Sequence, residues 1–111
     1  MVAELELFDP VLRKQGDSPD QIHRHFFLAR GYFFASRWER ARQECQLSLA
    51  QDGDHQRIVA WDLIYLGFID LLQGNQERAG AYLRAAGDLR IGGRVGRAVK
   101  KGLALLEGSE H

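Results

Sequence analysis

Few side chains in this sequence have the types and spacing that catalysis or metal binding demands. His23 and His25 stand two apart. On a helix that separation turns them about 200° from each other, so gripping one ion together would require the helix to break. Asp52, Asp54 and His55 share a short stretch, but Asp54 stands where an aspartate caps the following helix, and no fourth ligand is near in sequence. No metal and no cofactor is therefore expected. Cys45 falls on the inward face of a helical pattern, where a thiol behaves as a small inert hydrophobe. No serine or cysteine sits in a nucleophile-elbow context, and the glycine-rich run at 92–96 has neither a preceding strand nor the lysine-threonine pair of a phosphate loop. The chain reads as non-enzymatic.

What remains is the chemistry of recognition. Arg30, Asp62 and Asp70 interrupt runs that are otherwise apolar. An aspartate there needs a partner, so Arg30 is expected to pair with Asp70 or Asp62; otherwise it is free to grip a ligand carboxylate with both ends of its guanidinium. Arg90, Arg94, Arg97, Lys100 and Lys101 form a run with no acidic residue between them. Three of the five lie at the start of a helical pattern, the end where positive charge is unfavourable. They read first as a solvated face balanced by Asp88 or by the acidic N-terminal segment. The functional alternative is docking of an anionic partner, RNA, DNA or an acidic protein surface. The lack of interleaved aromatics argues against single-stranded nucleic acid.

These residues must be positioned by helices. The chain has 111 residues, enough for a single domain. Fifteen basic and fifteen acidic side chains cancel, so no overall field recruits nucleic acid or anionic lipid. One cysteine cannot form an internal disulfide, and residues 1–12 carry Glu4, Glu6 and Asp9 rather than a basic leader; a reducing cytoplasm is the expectation. Residues 1–17 form an N-terminal segment. Ser18 as cap, Pro19 and Asp20 then open a first long helix to about Ser36. A turn near Arg37 leads to a second helix, which Asp52-Gly53 ends. Asp54 caps a third at about 55–73, Gly74-Asn75 turns into a fourth at about 76–89, and a fifth closes the chain. Val95, Val99, Gly102, Leu103 and Leu106 make one apolar stripe on that last helix. Between Ile58 and Leu72 only Asp62 and Asp70 are charged, so this helix is apolar nearly all round and must be covered on more than one side. It is too short, and its two aspartates too costly, to cross about 30 Å of hydrocarbon, so no membrane insertion is expected.

The helices also repeat. Leu28, Ala29, Tyr32, Ala41, Cys45 and Ser48 recur as Leu66, Gly67, Asp70, Ala79, Leu83 and Ala86, at a constant offset of 38. Gly67 and Ala79 mark where the arms of the second hairpin approach closely. The Leu-Gly pair, the position three residues on, and the small-large-small series resemble the tetratricopeptide repeat. The match is close over 74–86 and looser over 36–48. The offset exceeds that family's period of about 34, which longer first helices and the Asp-Gly linker accommodate. The resemblance implies an all-α stack of antiparallel hairpins: repeat one at 18–52, repeat two at 54–90 and a capping helix at 94–107.

It also implies a concave groove lined by His23, Phe26, Arg30, Phe33 and Phe34 from the first repeat and by Trp61, Ile64, Phe68, Leu71 and Leu72 from the second. So much contiguous apolar surface calls for an occupant. The candidates are residues 1–15 folding back, a second copy of the chain in a homodimer, or an apolar peptide or helix of a protein partner. The family's carboxylate-gripping members use a set of Lys and Asn that is missing here, which speaks against an acidic C-terminal tail as ligand.

Overall fold

A computed structural model describes residues 23–109, and among these the chain forms five helices and no strand. They are α1 (Arg24–Phe34), α2 (Trp38–Gln51), α3 (Gln56–Leu72), α4 (Gln76–Asp88) and α5 (Gly93–Ser109). The expected start at Ser18 and the N-terminal segment lie outside the described residues. Two starts are corrected: His23 takes the N-cap position of α1, where a helix already under way from Ser18 was expected, and His55, not Asp54, takes that of α3; neither makes a side-chain cap bond.

α1 packs on α2 and α3 on α4 as two hairpins. α3 also touches α1, α2 and α5, and α5 leans on α4 as well. This accounts for the composition of α3, whose Ala60, Ile64, Tyr65, Leu66 and Ile69 are all buried. A helix with neighbours on several sides needs apolar residues all round, whereas α5 buries Val95, Val99, Gly102 and Leu106 along one stripe.

Both hairpins turn in the same way. Ser36 N–H donates to the Phe33 carbonyl and Arg37 N–H to that of Tyr32; in the second hairpin Gly74 donates to Leu71 and Asn75 to Asp70. Each is a Schellman ending built around a left-handed residue, Ser36 (φ 61°) in one and Gly74 (φ 84°) in the other. The two positions are 38 apart, so the repeat extends from side chains to backbone geometry. It extends to a side-chain contact too: Arg40 donates to the Tyr32 hydroxyl at 3.1 Å, and Arg78, 38 residues later, to Asp70 at 3.1 Å.

The close approach expected at Gly67 is present, and its cause is Leu83. A Cβ on Gly67 would lie 2.8 Å from Leu83 Cγ, and one on Gly102 2.8 Å from Leu83 Cδ1. Leu83 of α4 thus fills a slot between glycines of α3 and α5, and any side chain at either glycine would overpack it.

Candidate functional site

α1, α3 and α5 lie side by side, and residues at helical spacing turn toward a shared hollow surface: Phe26, Arg30 and Phe33/Phe34 from α1, Trp61, Ile64/Tyr65 and Phe68 from α3, Arg94, Ala98 and Lys101 from α5. Two hollows of about 240 and 220 Å³ share Phe34, Trp61 and Tyr65 as a common wall. Neither reaches the roughly 300 Å³ of an ordinary small-molecule pocket. Each suits a single large side chain, and together they suit a segment of polypeptide.

Tyr65 forms the floor. Its ring lies 4.8 Å from that of Phe33 and 5.9 Å from that of Trp61, centroid to centroid. Burial pushes its hydroxyl up to about 12, only partly offset by the Arg30 charge, so it stays neutral and able to donate. Phe34 stands at the lip with 64% of its surface exposed, and the Arg30 guanidinium lies 5.9 Å from its ring centroid. Every charged residue lining the two hollows is a cation: Arg30, Arg57, Arg94 and Lys101.

Of the residues assigned to the groove, Phe26, Arg30, Phe33, Phe34, Trp61, Ile64 and Phe68 line the two hollows. Leu71 and Leu72, near the α3 C-terminus, line neither hollow, and His23 turns away to stand beside Asp52 and His55. Tyr65, Arg57 and the α5 contribution were missed. Tyr65 and Arg57 stand four residues either side of Trp61, a spacing that places them on its face. The basic run divides: Arg94 and Lys101 look into the groove, while Arg90, Arg97 and Lys100 are exposed and line neither hollow.

The expected partner of the buried aspartates is also corrected. Asp70 is held by Arg42 at 2.9 Å and Arg78 at 3.1 Å, with Asn75 Nδ2 at 3.3 Å; Arg30 takes no part. Two cations reach Asp70 from α2 and α4, across the junction of the hairpins. Among the described residues Asp62 receives no cation. Burial lifts its carboxyl to about 7, and although the nearby Ser48 hydroxyl offsets part of that rise, neither oxygen makes a well-formed hydrogen bond. Cys45 is fully buried, and burial raises its thiol far above the ordinary range, as an inert core residue requires. His25 is engaged with Glu44 through Nδ1 at 2.6 Å. Among the described residues no helix is long and apolar enough to cross a membrane. Comparisons of the chain with protein-family models, with curated proteins and with solved structures give no match.

Proposed function

We propose that this chain is a non-enzymatic interaction module of the tetratricopeptide kind, and that its groove takes a segment of a protein partner carrying large apolar side chains beside a carboxylate. The observation that carries this reading is one surface with two properties: contiguous aromatic walls, and a rim whose charged members are all cations. The walls offer burial worth roughly 1.5–3 kcal/mol for each large side chain received. The rim selects acidic neighbours. The repeat offset of 38 and the matched hairpin turns support the family assignment.

The rim also bears on self-association. A two-fold dimer closed through this groove would set the rims of both copies against each other, cation facing cation. The partner reading is therefore preferred to the homodimer.

Selection from a displayed random-peptide library tests this. The expected yield is peptides with Asp or Glu next to Leu, Phe or Trp, whose binding is abolished by Phe34→Asp. Phe34 is already exposed, so this variant keeps the fold and serves better than Phe68→Asp, since Phe68 packs against the core. Peptides that bind Phe34→Asp as well as wild type, or a library with no enrichment, would defeat the proposal.

A further inference from the structure

Three helix ends converge at the joint between the hairpins. His23 is the N-cap of α1, Asp52 the C-cap of α2 and His55 the N-cap of α3. One donor atom from each lies within 4.8 Å of the other two. His23 Nδ1 stands 3.5 Å from Asp52 Oδ1, and the two imidazole rings meet edge to face with centroids 5.0 Å apart.

This arrangement has an unmet requirement. Asp52 is 2% exposed, and among the described residues its Oδ2 has no hydrogen-bond partner and the buried His23 Nδ1 has none either. Leaving such groups unpartnered costs about 1–3 kcal/mol each, and native proteins avoid it. A direct His–Asp hydrogen bond would close the gap to about 2.7–3.0 Å, yet the pair stays wider. That wider spacing suits an ion. Donors bound tetrahedrally at 2.0–2.1 Å lie about 3.3 Å from one another, close to the His23–Asp52 separation. The donor atoms, all within 4.8 Å of one another, would draw closer on binding by side-chain rotation, for which the exposed His55 has room on its solvent side.

We infer that His23, Asp52 and His55 form a binding site for a divalent transition cation of the zinc class. Two imidazoles and one carboxylate are borderline donors that match Zn²⁺ and its neighbours rather than oxygen-seeking Mg²⁺ or Ca²⁺. Three protein ligands leave a fourth position for water on the exposed His55 side. The α2 C-terminus favours a cation there, while the α1 and α3 N-termini oppose it, so the Asp52 charge is essential to the balance. Because the ligands come from three helices, the ion would tie the two hairpins together. Sequence spacing hides the site, since His23 stands 29 residues from Asp52.

The test is calorimetric titration of the chelator-stripped full chain with Zn²⁺, alongside the visible absorption of bound Co²⁺. One ion per chain, a raised unfolding temperature and no competition from Mg²⁺ are expected. His55→Ala, at an exposed position, should keep the helical circular dichroism and weaken binding by more than the roughly 10- to 100-fold that a merely supporting residue costs. His23→Gln should do the same, and His25→Ala should bind as wild type does. Zinc held equally well by His55→Ala and His23→Gln, or a folded wild type that binds none, would overturn the inference. Asp52→Asn, if it folds, should abolish binding; undiminished affinity in that variant would equally count against the site.

Discussion

Asp62 and Asp70 enter the same helix eight residues apart, and the fold treats them in opposite ways. Asp70 is neutralised by two arginines, whereas Asp62 meets chiefly desolvation, with the Ser48 hydroxyl offsetting part of it and the nearby Asp52 charge adding to it, and its carboxyl rises from 3.8 to about 7. Below about pH 4 the Asp62 carboxyl is protonated both folded and unfolded, and it costs nothing electrostatic. Between pH 4 and 7 the unfolded chain releases this proton while the folded chain holds it, so stability falls as pH rises, and the full loss persists above 7. A shift of this size corresponds to a loss on the order of 4 kcal/mol. Asp62→Asn is expected to abolish that part of the slope, so that urea unfolding of the two proteins at pH 4.5 and pH 8 shows a smaller loss in the variant. Parallel losses would mean that Asp62 is ionised in the fold at neutral pH. That an aspartate in an apolar helix needs compensation was legible in the sequence. Which cation provides it was not, because Arg42 reaches Asp70 from 28 positions away through a helix crossing that no local pattern specifies.

Between the helices, the repeat governs more than the buried side chains. The paired Schellman turns at Ser36 and Gly74 are the same backbone structure with different residues at the left-handed position. An L-residue there costs about 1–2 kcal/mol, and glycine gives back part of that advantage through the entropy of the unfolded chain. Ser36→Gly is therefore expected to stabilise the domain by about 0.5–1 kcal/mol, read as a higher urea midpoint with an unchanged m-value. No change would mean that the serine side chain offsets the strain by contacts of its own. The positions of the four helices from α2 onward were readable from apolar spacing and turn punctuation, because both follow from helical period and backbone freedom, whereas α1 was read as starting at Ser18 and has His23 as its N-cap. Leu83's slot was only half readable: Gly67 signalled a close approach, but the second wall, Gly102, belongs to a helix whose placement depends on how α3 and α4 have already packed.

For the molecule as a whole, the apolar groove and the basic run, which look like separate features along the chain, meet on one surface. Arg94 and Lys101 reach the groove because α5 lies beside α3, while Arg97 and Lys100 point elsewhere. Salt sensitivity alone therefore does not distinguish a groove ligand from a basic-patch ligand, since a groove ligand meets both apolar walls and cations. The discriminating comparison is between neighbouring arginines of equal charge. With an acidic, apolar peptide selected on the groove, Arg94→Glu is expected to weaken binding about five- to tenfold, and more at low salt than at high salt. Arg97→Glu, which changes the net charge identically, should stay within about twofold. Equal losses would mean that the five cations act as a diffuse field and that the peptide sits on the outer face of α5. A loss confined to Arg94→Glu would place a carboxylate of the peptide at the groove rim, beside the aromatic walls that receive its apolar side chains.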